Sequence, residues 1–250
     1  MNSGSSIKRF IVPAAIVIYA LIAAMGVSAF SFSPMTVSIG TSGADAVITY
    51  KVTNESDKQT AVSIKVLTRT IDAQGVETNE SADKLFLVFP SRIVLKPNSS
   101  QNIKVQYRGN AKVPAELSFR VVAEQLPVDF SKATNSGVNI LLTYVAALYV
   151  TPKNAAPNLV LAEAVGVKKD GKQGLQIKVK NTGTAHALVS NPKITINQGG
   201  GAAAVEFSGE AASGIDGQNL LANSERIIFV PWDAAVTGTT YSGSVSVEME

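Results

Sequence analysis

The sequence predicts an all-β protein made of two tandem immunoglobulin-like β-sandwich domains. From Phe30 onward, short runs of alternating apolar and polar residues are separated by clusters of Gly, Asn, Asp, Ser and Pro, which is typical of a sandwich. No stretch after Phe30 has the periodicity of an amphipathic helix. The second half also echoes the first, since IKVKNTGTAHALV resembles YKVTNESDKQTAV and LLANSERIIFV resembles VLKPNSSQNIKV. A chain of 250 residues is long enough for two such domains.

The first 29 residues have the pattern of a secretory signal peptide. Lys8 and Arg9 precede the apolar run FIVPAAIVIYALIAAMGV, and the small residues of VSA favour cleavage after Ala29. The alternative is an uncleaved membrane anchor, because the run is long for a signal core, but Pro13 and the small-residue exit favour cleavage. The chain has no Cys, so we expect neither a lipoprotein nor a disulfide framework. We therefore expect a periplasmic protein without stable membrane insertion after cleavage.

The charge pattern gives no indication of nucleic-acid binding. The chain has 22 Lys and Arg against 19 Asp and Glu. Removal of the signal peptide takes away Lys8 and Arg9, which leaves a net charge of about +1. No basic run with interleaved aromatic residues occurs, and we expect no nucleic-acid partner.

The first sandwich is predicted over residues 30–152, with roughly seven strands. In chain order the strand patterns, eight when the opening stretch is counted, are FSFSPMTVSI, AVITYKVTN, AVSIKVLTRTID, KLFLVFP, SRIVL, QNIKVQYRG, ELSFRVVAEQLP and GVNILLTYVAALYVTP. The segment TPKNAAPN has two Pro and no periodicity, which predicts a fairly stiff linker at 153–157. The second sandwich is expected over 158–250, beginning with LVLAEAVGV, and the tract QGGGAAA predicts a flexible turn inside it.

The residues that could support catalysis do not form a recognisable site. His186 is the single imidazole, alone in a turn, so we expect an ordinary surface histidine and no zinc site. There is no G-x-S-x-G motif, and QGGGAAA lacks the Lys and Ser/Thr of a phosphate-binding loop. A group of carboxylates indicates a solvated hairpin tip: Asp72, Glu77, Glu80 and Asp83. We expect no enzyme, no metal and no cofactor, although a sugar site built on aromatics or carboxylates stays open.

The last strand pattern of the first domain is apolar on both faces. One face carries Val138, Ile140, Leu142, Tyr144, Ala146 and Leu148. The other carries Leu141, Val145, Ala147 and Tyr149. Since an antiparallel sandwich strand normally has one wet face, we expect the second set, with Leu141, to fill the domain's own core and the first set to meet a partner. The alternative is cover by the neighbouring domain, which suits Ala147 to Pro152 better than Val138 to Leu142.

These strand patterns, taken in order, resemble the periplasmic chaperones of the chaperone/usher pilus pathway. The similarity covers FSFSPMTVSI, ITYKVTNESDKQTAVSIKV, FPSRIVLKPNSSQNIKVQYRG, ELSFRVVAEQLP and a long strand ending in LYVTP. The resemblance implies two immunoglobulin-like domains in a boomerang arrangement. It also implies that the last first-domain strand is lent to a pilus subunit, which is then delivered to an outer-membrane usher. Counted back from Pro152, the implied donor residues are Val138, Ile140, Leu142 and Tyr144.

One family feature is missing from the sequence. Better-known members place an Arg in the first strand and a Lys near the end of the donor strand, and together these bind the subunit's terminal carboxylate. Here FSFSPMTVSI has no basic residue, and the Lys position is Ala147. Possible substitutes are Arg92, Lys104 and Arg108, for which the alternative is an ordinary solvated charge.

Three functional classes follow from these observations. The favoured class is an assembly chaperone, and the alternatives are an exported structural or adhesive β-sandwich protein and a secreted enzyme. A structural subunit would be expected to lack a strand or to carry an N-terminal donor extension. This chain instead has full strand sets, with its most apolar strand in the interior of the sequence.

Overall fold

The computed structural model describes residues 30–127 and 140–248. The predicted signal peptide and Val138 lie outside this described part. Strands dominate the described residues, and the helical elements among them are two short 3-10 turns, Gly43–Ala46 and Gly209–Ala212. None of the helices in these ranges is long and apolar enough to cross a membrane. The all-β class predicted from the sequence is confirmed.

The first sandwich contains two facing sheets and one small hairpin. Its strands are β1 (Phe30–Ser33), β2 (Thr36–Ile39), β3 (Val47–Asn54), β4 (Thr60–Thr68), β5 (Thr70–Ile71), β6 (Glu77–Thr78), β7 (Phe86–Phe89), β8 (Arg92–Leu95), β9 (Ser99–Tyr107), β10 (Leu117–Leu126) and β11 (Thr143–Val150). One sheet has the order β1-β3-β9-β7 and the other β2-β11-β10-β4-β8. The strands β5 and β6 form the separate hairpin.

The opening segment supplies a strand to each sheet, where the sequence predicted one continuous strand. β1 pairs antiparallel with β3, whereas β2 pairs in parallel with the end of β11. Pro34 lies between them and has no N–H to donate to a ladder, so the pairing is interrupted where the chain changes sheets. Thr36 is opposite Ala147, and Ile39 is opposite Val150.

The core of this sandwich follows from alternation along its strands. On the core side of one sheet lie Tyr50 and Val52 of β3 and, on the neighbouring β9, Ile103 and Val105, and all four are fully buried. Each such side chain stabilises the fold by about 1.5–3 kcal/mol. The core cluster takes its members from Phe30 to Val150, so one core joins the strands of this segment.

The second sandwich has its own core, formed between Ala164 and Tyr241. Its strands are β12 (Leu159–Lys169), β13 (Lys172–Asn181), β14 (Ala187–Leu188), β15 (Ser190–Asn197), β16 (Val205–Phe207), β17 (Asn219–Leu220), β18 (Glu225–Pro231) and β19 (Ser242–Glu248). They form the sheets β12-β13-β18 and β16-β15-β19 and the pair β14-β17. Because the two cores lie on either side of 153–157, we keep the division at 30–152 and 158–250 as a proposal.

The internal repeat expected from the sequence appears in the hydrogen bonds of two asparagines. Asn54 ends β3, and its side-chain amide donates to the carbonyl of Lys58 at 2.7 Å. Asn181 ends β13, and its amide donates to the carbonyl of Ala185 at 2.8 Å, again four positions later. The two echoing segments also share one left-handed position, which asparagine tolerates, at Asn98 (φ 51°) and Asn223 (φ 60°).

Candidate functional site

The inward face of β11 runs from the domain's core out into solvent. Ala146, Leu148 and Val150 are fully buried in the core, and Leu142 is partly buried against it. Ile140 continues the same alternation and is 70% exposed. The expectation that the domain's own core does not need this face is therefore wrong for Leu142. The physical reason is that the apolar alternation begins before β11: Leu142, just ahead of the strand, still packs on the core, whereas Ile140 lies beyond it.

Tyr144, on the same face, is bound into its own domain. Its hydroxyl donates to the carbonyl oxygen of Phe30 at 2.6 Å. The two rings meet edge to face with centroids 4.9 Å apart. Tyr144 thus connects β11 to β1, a contact that the sequence pattern does not predict.

The first half of β11 has an open edge. β2 pairs only with Ala147 to Val150, and no other strand in the described ranges covers that side of β11. Ala147 donates its N–H to the carbonyl of Met35 at 2.8 Å, and backbone direction alternates along a strand. Thr143 and Val145 therefore direct their N–H and C=O groups to the uncovered side. From Thr143 to Ala146 this strand edge is about 13 Å long at 3.3 Å per residue, and residues 140–142 lead into it.

The outward face of β11 is covered in its second half and open in its first. Ala147 and Tyr149 form a small apolar cluster with Leu221 of the second domain. Leu141 and Val145 are 48% and 45% exposed. The expectation that Leu141 fills the first domain's core is wrong, because the odd-numbered residues of β11 face away from that core and Leu141, two residues ahead of the strand, is half exposed. The alternative of cover by the neighbouring domain is correct for Ala147 and Tyr149.

Tyr149 is the centre of the contact between the two domains. Its ring stacks on His186 with centroids 3.8 Å apart and planes 6° from parallel. Its hydroxyl oxygen accepts hydrogen bonds from Asn219 at 2.7 Å and from Arg69 at 3.1 Å. Tyr149, near the end of β11, therefore contacts the second domain both through its ring, on His186, and through its hydroxyl oxygen, with Asn219.

Glu116 is a second point of attachment, and its side chain is only 1% exposed. One carboxylate oxygen accepts from the backbone N–H of His186 at 3.0 Å and lies 2.6 Å from the ring Nδ1 of the same residue. The other oxygen accepts from the Thr151 hydroxyl at 2.8 Å. The expectation of an isolated surface histidine is wrong, because its partners Glu116 and Tyr149 are distant in sequence.

The β5–β6 hairpin makes a third contact with the second domain. Ile227 donates its N–H to the carbonyl of Ala73 at 2.8 Å, and the Arg226 guanidinium donates to the carbonyl of Asp72 at 3.1 Å. Arg226 is buried, and burial lowers the pKa of its guanidinium. Gly75 has a φ of 91°, which favours glycine, and a Cβ there would lie 2.5 Å from that guanidinium.

A cluster of two arginines and one glutamate lies on the outward face of the same sheet. Arg120 donates to both oxygens of Glu77, at 2.8 and 2.6 Å, and Arg69 donates to one of them at 2.9 Å. The Arg120 hydrogen bond, followed by that of Arg69, lowers the pKa of Glu77 to about 2. Glu77 is therefore not part of a solvated hairpin tip, as the sequence suggested. Two cations against one carboxylate leave this cluster with a net positive charge.

The register places Arg120 directly opposite Ala147, where the family resemblance expects the missing lysine. Sequence reasoning missed Arg120 because the two positions are adjacent only across the β10–β11 ladder. Of the predicted substitutes, Arg92 lies exposed on β8, on the outward face of the same sheet. Lys104 and Arg108 are also exposed. Lys104 lies on β9 between two core-facing residues, on the outer face of the opposite sheet, which disfavours it as a residue near β11.

An open cleft of about 450 Å³ lies near the domain junction. Its lining includes Arg69, Ile71, Glu116, Leu117, Leu221 and Asn223. Among residues 30–127 and 140–248, no group of three acidic or histidine side chains is placed to hold a metal ion. The chemistry of this region is that of a binding surface, with an open strand edge, apolar side chains and a positive cluster.

Comparison with known proteins identifies the family. Residues 31–156 match the family described as pili and flagellar-assembly chaperone, PapD N-terminal domain. The chain belongs to this chaperone family. The resemblance drawn from the sequence is thereby confirmed, and so is the expectation of a non-enzymatic protein, because the family consists of assembly chaperones. No curated protein sequence matches the chain.

Solved structures of fimbrial chaperones share the two-sandwich fold. The class 5 fimbriae chaperone CfaA superposes with a TM-score of 0.56 at 14% identity, and the match covers 89% of this chain and 100% of CfaA. The complex of CsuC with the tip adhesion subunit CsuE from Acinetobacter baumannii gives 0.56 at 18% identity, over 86% and 92%. SafB in complex with SafA pilin from Salmonella enterica gives 0.52 at 14% identity, over 90% and 99%. At these identities the likeness shows the fold, which confirms two tandem immunoglobulin-like domains.

Proposed function

We propose that this assembly chaperone acts in the periplasm, binds pilus subunits by lending them the first half of β11, and delivers them to an outer-membrane usher. The observation that supports this most directly is the open strand edge from Thr143 to Ala146, next to apolar side chains that extend past the core at Leu142 and Ile140. In the related structures, CsuC is in a pre-assembly complex with a tip subunit and SafB is in complex with a pilin. Export by the first 29 residues is part of the proposal.

Strand addition supplies both affinity and selectivity at such an edge. The unpaired N–H and C=O groups of Thr143 and Val145 would continue their ladder into a subunit strand. Side chains on the inward face, at Ile140 and Leu142, would enter the groove of a subunit that lacks a strand, and Val138, which lies outside the described residues, stays a donor residue proposed from the sequence. Burial of a mostly exposed isoleucine contributes about 1.5–3 kcal/mol, which is enough to matter and small enough to allow later release.

The donor residues contribute unequally in this proposal. Ile140 is free to enter the groove without any change in the chaperone. Leu142 and Tyr144 already pack against the first domain's core. They would keep this contact while their remaining exposed surface packs against the subunit. Tyr144 is the innermost of the four and sets the limit of the donated segment, because its hydroxyl is bonded to Phe30.

A subunit's terminal carboxylate would find its counter-charge at Arg120 in this arrangement. Arg120 lies across from Ala147, immediately after the open edge, and the cluster that contains it has one cation in excess. Arg92 and Arg108 remain candidates proposed from the sequence. Arg120→Ala should weaken subunit binding more than Arg108→Ala does. The opposite order would place the carboxylate at the sequence-based candidate.

The decisive experiment is periplasmic co-expression with pilus subunits, followed by co-purification with the tagged chaperone. Ile140→Thr keeps β-propensity but introduces a hydroxyl into an apolar groove, so recovery of the subunit should fall about tenfold while the free protein melts normally. Val94→Thr is the matched control, since Val94 is 62% exposed on β8 at the far edge of the same sheet. Leu142→Thr should lower both recovery and the free melting temperature. Failure to recover any subunit with the wild-type protein would overturn the proposal.

A further inference from the structure

The outward face of β11 has an apolar surface for which the first domain provides no cover. Leu141 and Val145 are about half exposed and stand on the face that does not contribute to the core, with Thr143 between them. The next two positions on this face, Ala147 and Tyr149, are buried against the second domain. The uncovered part is thus the direct continuation of the contact between the domains.

The neighbouring strand extends this surface. Val122 on β10 is directly opposite Val145 and is buried although it lies on the outward face. In the adjacent row, Glu124 forms an exposed ion pair of 3.2 Å with Lys65. Val145 and Val122 therefore form an apolar strip with a charged border, the arrangement of an interface centre and its rim.

The backbone of the same residues determines what can cover the strip. Thr143 and Val145 direct their N–H and C=O groups to the open edge, so a strand added there lies beside them in the same sheet. Side chains directly opposite on one face of paired strands have Cβ atoms about 4.5–5.5 Å apart. Any strand that pairs with this edge therefore places its own outward side chains against Thr143 and Val145.

We propose that Leu141 and Val145 form a second subunit contact, covered by the subunit strand that pairs with the open edge and selecting strands with apolar, β-branched residues on their outward face. This inference rests on the proposed function and adds to it the face opposite the donor residues. A subunit strand with charged residues at those positions would leave the strip exposed and bury part of a charge, so it would be rejected. Selection among exported proteins would then depend on both faces of β11.

The experiment uses single-cysteine variants, because the natural chain contains no Cys and each variant therefore carries one thiol. Leu141→Cys and Val145→Cys report on the outward face, Ile140→Cys on the donor face, and Val94→Cys on the far edge of the sheet. The rate of alkylation by a soluble maleimide is measured by mass spectrometry of the chaperone, alone and in complex with the pilus subunit recovered with the wild-type protein. We expect at least a tenfold decrease in the complex at 140, 141 and 145, and no change at 94.

The possible results separate this inference from the proposed function. Protection at 140 without protection at 141 and 145 would overturn the inference and leave strand donation intact. Protection at 141 and 145 without protection at 140 would overturn strand donation through the inward face. If the thiols at 141 and 145 are protected in the free protein, and more so at higher protein concentration, a second copy of this chain covers these residues and the inference is overturned.

A gain-of-affinity variant provides an independent measurement. Thr143 is exposed between the two apolar residues, and Thr143→Val keeps its shape and β-propensity while it removes the hydroxyl. If a subunit strand covers this face, Thr143→Val should tighten binding of the recovered subunit about threefold or more. The same change should leave the free melting temperature unchanged, whereas unchanged binding would mean that this face stays in water.

Discussion

Glu116→Ala removes one of the least exposed charged side chains of the domain junction. The carboxylate accepts hydrogen bonds from the His186 backbone and from the Thr151 hydroxyl and contacts the His186 ring. Each hydrogen bond contributes about 1 kcal/mol net, so the three together predict a loss of about 3 kcal/mol. For a protein of this size, that loss lowers the melting temperature by about 6–12 °C.

Differential scanning calorimetry is the assay for Glu116→Ala, because it detects loss of cooperativity as well as loss of stability. Since Glu116 is in the first domain and His186 in the second, we expect the two domains to melt more independently in the variant. Glu124→Ala is the control: Glu124 also pairs with a base, Lys65, but both side chains are nearly half exposed, and such pairs contribute under about 1 kcal/mol. The reasoning fails if both variants melt within about 1 °C of each other.

Three further outcomes are expected. Tyr50→Phe should raise the free energy of unfolding by about 1 kcal/mol, because the buried Tyr50 hydroxyl has no hydrogen-bond partner among the described residues. Tyr144→Phe should lower the free energy of unfolding, because it removes the hydrogen bond to Phe30, and urea unfolding of both variants measures the difference. Glu77→Gln should destabilise the protein by about 2 kcal/mol at pH 7. Because the folded pKa of Glu77 is lowered to about 2, the difference from wild type should persist above about pH 4.5 and shrink as the pH falls towards 2, which pH-dependent unfolding measures. N-terminal sequencing of periplasmic protein should begin at Phe30, and retention of Met1 in a membrane fraction would contradict export with cleavage.

The fold could be predicted from the sequence because its signals are local. Alternation with period two, turn residues and the asparagine-ended repeats at Asn54 and Asn181 are properties of short segments. The direction in which each face of β11 points could not be predicted in the same way. Alternation separates Leu141 from Leu142 but does not tell which one meets the core, and apolar residues on both faces of β11 removed the usual contrast.

The polar contacts of the site depend on partners far apart in the chain. Glu77 and Arg120 are separated by 43 positions, and Glu116 and His186 by 70. The sequence therefore predicts solvated side chains for His186 and Glu77, whereas in the fold His186 contacts Glu116 and Glu77 is paired with Arg120. Arg120 could have been found earlier only by aligning β10 with β11, which requires the register of the ladder.

The parallel pairing of β2 with β11 also has a consequence for the order of folding. β2 is among the first segments to be synthesised, and its partner on β11 follows roughly 110 residues later. At synthesis rates of about 5–20 residues per second, β2 waits on the order of ten seconds for that partner. The first domain therefore closes last at the strand that carries the open edge, and a nascent chain that stops before residue 150 has no completed sandwich.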